Sequence, residues 1–236
     1  MSLKTSAFLE FIRLVIARDA DEVSRRLQAD PALATMTEPV GPTRQNATGY
    51  FFTEISHHIY KGDTALHMAA AAFSRPIAEM LVSHGADPLV RNRRGAQPLH
   101  YAADGRSAAN EQADVIEYLI AIGADSNAVD RSGVAPLHRA VRRRSIDAVR
   151  ALLDGGADVR KPNKAGSTPL HLAVQNTGAS GSGSDEAHEN QAEIIRLLLA
   201  RGAKPADKDE KGKTVEQSST SEWIRKLIVE NKQNQV

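Results

Sequence analysis

The chain has 236 residues, a formal charge of +1, no cysteine, and 41% hydrophobic against only 4% aromatic residues. Disulfide and thiol chemistry are therefore excluded, and the near-zero charge gives no global case for nucleic acid or membrane, although a local imbalance can hide inside such a sum. No stretch approaches the ~18 uninterrupted apolar residues that mark a membrane span, so a soluble, cytoplasmic protein is expected.

At the N-terminus, Phe8, Phe11, Ile12, Val15 and Ile16 recur at helical spacing. Glu10 and Arg13 interrupt the run and no small-residue cleavage site follows, so residues 5–17 read as an amphipathic helix and not as a signal peptide. Val23 and Leu27 repeat the pattern over 20–29 before Asp30-Pro31 stops it. Residues 5–34 are thus expected to form a helical end piece. Periodicity then disappears over 35–60, where Pro39, Gly41, Pro42 and Gly49 punctuate a long loop. Tyr50, Phe51, Phe52 and Tyr60 give this loop an aromatic cluster with which to anchor itself.

From residue 61 the chain repeats itself. The turn glycines Gly62, Gly95, Gly133 and Gly166 are each followed by a helix start: Thr64-Ala65-Leu66-His67, Gln97-Pro98-Leu99-His100, Ala135-Pro136-Leu137-His138 and Thr168-Pro169-Leu170-His171. Proline suits a first helical turn, where its missing N–H has no partner to lose, and threonine can cap that turn. Each second helix closes on an apolar pair, Leu81-Val82, Leu119-Ile120, Leu152-Leu153 and Leu198-Leu199. The glycines that follow, Gly85, Gly123, Gly156 and Gly202, suit a left-handed helix end. The units run 61–92, 93–130, 131–163 and 164–209. Two are lengthened between their helices, around 106–110 and by the Gly/Ser-rich segment 178–186, which is expected to be a mobile insertion. Residues 210–231 keep Gly212 and Thr214 and then a helix with Trp223, Ile224, Leu227 and Ile228 on one stripe, as a terminal cap requires.

The unit Arg131 to Asn163 is 33 residues long, and with its Pro-Leu-His start and Gly-Ala-Asp end it closely resembles an ankyrin repeat. The resemblance implies an all-α solenoid of stacked helix-turn-helix units with hairpin-like turns and a helical cap at each end. It also implies non-catalytic binding of another protein on the concave face, by a chain expected to be a monomer.

Four histidines at matched positions, His67, His100, His138 and His171, invite comparison with a metal ladder. Stacked units stand on the order of 10 Å apart, whereas one metal needs its nitrogens at ~2.1 Å, so the ladder fails. The resemblance implies a structural role instead, each histidine bonding the threonine hydroxyl of its own turn and a neighbouring backbone, as for Thr64/His67 and Thr168/His171. Gln97 and Ala135 replace threonine at the other two, whose turns are expected to be less rigid. His57 and His58, with Glu54 nearby, form a cluster with no identifiable third ligand, and an enzyme using this pair is the third-ranked reading. Gly212-Lys213-Thr214 imitates a phosphate loop, but Asp207 stands where that motif needs glycine. No catalytic residue, metal or cofactor is assigned, and an enzyme is not expected.

The resemblance places partner contacts on the turns and the exposed side of each first helix. Tyr60, Lys61, Arg91, Arg93, Arg94, Arg131, Arg142, Arg143 and Lys164 fall there and are the expected partner-binding residues; His58, Asp63, Asp104, Ser132, Gln175 and Asn176 map beside them. The bias is a surplus of about six positive charges on one face. It fits an acidic protein segment held by bidentate arginine contacts, with nucleic acid or a phosphorylated ligand as the alternative. Arg144 stands where the family commonly has glycine, and a left-handed backbone there would cost about 1 kcal/mol.

Overall fold

A short helix with one apolar stripe cannot shield that stripe alone, and this chain solves the problem by stacking. The computed structural model describes residues 7–43, 47–105, 110–175, 184–219 and 221–233. The first helices of successive units, α1 (Ala7–Ile16), α3 (Ala65–Ala71), α5 (Pro98–Ala102), α7 (Pro136–Arg143), α9 (Pro169–Ala173) and α11 (Val215–Ser218), pack in one row. The second helices, α2 (Ala20–Ala29), α4 (Arg75–Ser83), α6 (Glu111–Ala121), α8 (Ile146–Asp154), α10 (Asp185–Ala200) and α12 (Glu222–Gln233), form the other. Between the rows Ile12, Leu66, Leu99, Ile116, Leu152, Leu170 and Ile195 are fully buried in one continuous core. Each such side chain contributes roughly 1.5–3 kcal/mol by burial.

Directional bonds set the register between units. In each repeat the histidine Nδ1 accepts the backbone N–H of the helix N-cap, at 3.2, 3.2, 3.1 and 3.2 Å for His67, His100, His138 and His171. Nδ1 is then unprotonated, so Nε2 carries the proton and donates it to a carbonyl of the next unit: Ala96, Val134, Ser167 and Lys213. Thr64 and Thr168 add hydroxyl contacts to Nδ1 at 3.0 and 2.9 Å. The turns of His100 and His138 lack that hydroxyl yet keep both backbone bonds. Burial pushes His100 down to about 3 and also lowers His67 and His138, which matches a neutral ring at those three joints.

The turns add a second ladder. Arg93 N–H donates to the Lys61 carbonyl at 2.8 Å, Arg131 to Arg94 at 2.9 Å, Lys164 to Ser132 at 3.2 Å, and Glu210 to Ala165 at 3.0 Å. At Gly166 (φ +71) a Cβ would stand 2.4 Å from the Glu210 nitrogen, so this approach requires glycine.

The described residues of 35–60 are more ordered than a long loop. Gly62 N–H donates to the Glu38 carbonyl and Glu38 N–H to Asp63, so the segment begins by supplying the missing rung before the first full repeat. It then forms an antiparallel hairpin of β1 (Phe51–Phe52) and β2 (His57–His58). Tyr50 and Phe52 are buried and anchor it, whereas Phe51 is exposed. The insertion around 106–110 and most of 178–186 lie outside the described residues, but Asp185 and Glu186 already belong to the first turn of α10, capped by Ser184. In these two lengthened units a buried glutamine reaches back to the end of the shortened first helix. Gln112 Nε2 donates to the Ala102 and Gly105 carbonyls, and Gln191 Nε2 to those of Ala173 and Gln175. The glutamines replace the local capping that the insertions interrupt.

Arg144 is left-handed, with φ 57. Arg18 and Phe73, at φ 58 and 54, adopt the same conformation just past the ends of α1 and α3. Arg144→Gly is expected to raise stability by up to about 1 kcal/mol, and Gly166→Ala to lower it by more than that, both read from urea midpoints. The histidines give a pH dependence. The folded-state values of His67, His100 and His138 lie below the unfolded ~6.5, so their contribution is complete above ~6.5 and is lost as pH falls toward about 3 for His100. Urea titrations should show stability dropping by up to ~1.4 kcal/mol per pH unit for each depressed histidine below pH ~6; a flat profile between about 5 and 7 would exclude neutral-histidine joints.

Candidate functional site

Hairpin β1–β2, the turns at 92–96 and 130–134, and the end of α7 surround a concavity of about 720 Å³. Six arginines line it, Arg93, Arg94, Arg131, Arg139, Arg142 and Arg143, with Asp104 and Asp130 as the lining acids. Six against two leaves a formal excess of four positive charges. The surplus is smaller than the six read from the sequence because Lys61, Arg91 and Lys164 do not reach the concavity and Arg139 joins it, while Asp130 takes the place of the buried Asp63.

The inner wall is a charge cluster on Asp104. Its Oδ2 accepts from Arg139 at 3.0 Å, its Oδ1 from Arg143 at 2.8 Å, and Arg142 stands 3.8 Å away. Arg139 also donates to Asp130 at 3.0 Å. Burial alone would raise the Asp104 carboxyl, but the facing His57, Arg139 and Arg143 hold it well below the usual carboxylate range. Asp130 is likewise lowered against its burial by Arg139 and by the N–H groups of Ser132 and Val134. Both carboxylates are thus already occupied.

Beneath this wall lies a buried polar network. Asp63, which the sequence maps to the binding surface, is fully buried. It accepts from Tyr60 N–H at 2.6 Å, the Tyr101 hydroxyl at 2.8 Å and Asn92 Nδ2 at 2.8 Å. Four turn residues aligned after the turn glycine read Asp63, Ala96, Val134 and Ser167; only Asp63 is a carboxylate met by Asn92 at the end of its own unit and by Tyr101 of the next, and this draws it inward. Burial, and then the Asp63 carboxylate, push the Tyr101 hydroxyl well up.

The hairpin carries His57 and His58 into the same concavity as the arginines. The His57 ring lies 4.4 Å from that of Tyr101, its Nδ1 hydrogen-bonds the His58 carbonyl at 2.8 Å, and its Nε2 is 3.9 Å from Asp104. Glu54 is exposed and lines a separate concavity. Among the described residues no group of three His, Cys, Asp or Glu side chains could hold a metal.

Of the nine expected contact residues, Tyr60, Arg93, Arg94, Arg131, Arg142 and Arg143 are brought together here. Lys61, Arg91 and Lys164 are not. Arg91 instead donates to the Gly95 and Val129 carbonyls at 2.9 and 2.7 Å, tying two turns together. Gln175 is exposed at the end of the α9 unit, and Asn176 lies outside the described residues. Arg139 is the residue the sequence reading missed. Its signal is an anomaly: the position after each histidine reads Met68, Tyr101, Arg139 and Leu172, so a charge stands where the other units have a bulky, largely apolar side chain.

The outward arginines are less committed. Arg93 and Arg131 make no side-chain hydrogen bond or ion pair among the described residues. Arg94 lies over the Tyr60 ring at 4.7 Å, a contact that leaves its N–H groups available. Arg142 is 62% exposed.

Two family models match the chain, one described as ankyrin repeats (3 copies) over residues 105–209 and one as ankyrin repeats (many copies) over 66–120. No curated protein matches it significantly. Wall and rim should respond differently to mutation. Arg139→Met strands Asp104 and Asp130 and is expected to destabilise by roughly 3 kcal/mol, whereas Arg142→Ala should leave the melting temperature unchanged; equal effects in thermal unfolding would contradict this division.

Proposed function

The chain belongs to the ankyrin-repeat family, and from that premise we propose that it is a non-catalytic protein-interaction module whose concave basic face binds an acidic segment of another protein. Ankyrin repeats generally mediate protein–protein interaction. The observation that carries the finer reading is that Arg93, Arg94 and Arg131 make no hydrogen bond through their side chains, and Arg142 only a 3.8 Å ion pair with Asp104, around one concavity whose two carboxylates are already paired. Guanidinium forks with free donors offer bidentate contacts to carboxylates. The fixed wall formed by Arg139, Asp104 and Asp130 keeps their side of the solenoid preorganised, which limits the ordering cost of binding.

The reading keeps the chain cytoplasmic and independent of any cofactor. Among the described residues no helix is long and apolar enough to cross a membrane. Nucleic acid would use the same cations but would bring a steep salt dependence.

The test is fluorescence anisotropy with a labelled, degenerate peptide pool rich in Asp and Glu. Wild type should bind the pool, and the variant Arg93→Glu/Arg94→Glu/Arg131→Glu/Arg142→Glu should lose at least ~10-fold in affinity, the scale of about 1.4 kcal/mol, with its melting temperature unchanged. Equal binding by the variant would sink the assignment. Binding a generic duplex at ~50 mM salt more tightly than the pool would replace the peptide reading with the nucleic-acid one.

A further inference from the structure

The concavity is compact, and its outward cations converge from different elements. Arg93 and Arg94 come from the turn of one repeat, Arg131 from the turn of the next, and Arg142 from the last turn of α7. An extended acidic segment would spread its carboxylates along a solenoid, one or two for each unit it crosses. Four guanidiniums around about 720 Å³ instead concentrate charge at one point. A single glutamate brings one charge and two oxygens there. A phosphoryl group brings close to two charges and three acceptor oxygens, enough for several arginine forks at once.

Two further observations point the same way. The lining carboxylates face cations of the wall: Asp104 meets Arg139 and Arg143, and Asp130 meets Arg139. Of the outward arginines only Arg142 touches either of them, at 3.8 Å from Asp104 and beyond hydrogen-bond distance, and an incoming dianion meets no unpaired anion. The rim also supplies neutral donors suited to phosphoryl oxygens, in the His58 ring and the Ser132 hydroxyl.

We propose that the concavity recognises a phosphorylated side chain, a phosphoserine or phosphothreonine within the bound segment, with Arg93, Arg94, Arg131 and Arg142 as the phosphoryl-binding residues. The proposal rests on the reading of this face as a peptide-binding site and names the anchor of that peptide.

The experiment uses three degenerate peptide pools identical except for the fixed central residue: serine, glutamate or phosphoserine. Each is titrated into the full chain by anisotropy, with inorganic phosphate as competitor. The phosphoserine pool is expected to bind at least ~10-fold tighter than the glutamate pool and the serine pool weakest of all. Inorganic phosphate at millimolar concentration should displace the phosphoserine pool only partly. A set of Arg→Lys changes at the four positions, which keeps the charge and removes the forks, should erase most of the phosphoserine preference while the melting temperature holds. Glutamate and phosphoserine pools binding within about twofold of each other would overturn the phosphoryl inference and leave the acidic-segment reading standing. Failure of all three pools would remove both. Phosphoserine preference surviving in both the Arg→Lys and the Arg→Glu sets would overturn the assignment to these residues.

Discussion

The solenoid depends on a neutral imidazole. At each joint one ring accepts from its own helix start and donates to the following unit, so a single side chain links the local fold of one repeat to the placement of the next. An imidazolium could not accept at Nδ1, and at His67, His100 and His138 burial keeps the ring in the form that can. With the joints fixed, the turns are held close enough for their backbone ladder, and the ladder sets the arginine-bearing tips of adjacent units side by side. The proposed binding face is a consequence of the register, and the register rests on those bonds.

Charge is distributed over this frame in two tiers. Inner charges are consumed: Arg139 spans Asp104 and Asp130 with nearly all of its surface buried, a geometry in which removing one partner costs more than the pair contributes. Outer charges are left exposed on turns and on the end of α7. Asp104 separates the tiers, since it holds Arg139 and Arg143 inward and lets Arg142 stand away. The hairpin inserted before the first full repeat closes one side of the concavity and packs His57 on Tyr101. That insertion makes the groove a pocket.

Much of the architecture was legible because it is written locally and repeatedly. Gly, Pro-Leu-His and the closing apolar pair each act within a few residues of themselves, and four copies in register leave little freedom. What was not legible depends on partners from another unit. Asp63 looks like a solvent-facing turn acid until Tyr101 arrives from the next repeat and Asn92 from the far end of its own. Arg91 resembles its exposed neighbours but bonds carbonyls of two turns. The hairpin over 51–58 has no period to reveal it, since two residues per strand are too few to alternate. Arg139 was visible only by comparing it with Met68, Tyr101 and Leu172, a comparison that repeats make possible within one chain.

The central claim is that partners meet this protein at the concavity and not on the outer row of second helices. Mapping amide chemical-shift changes on titration with the acidic peptide pool tests it most directly. The account expects the changes to gather at 57–60, 92–94, 130–132 and 139–143, the residues around Asp104. Changes gathered instead on the exposed faces of α4, α6 and α8 would contradict it.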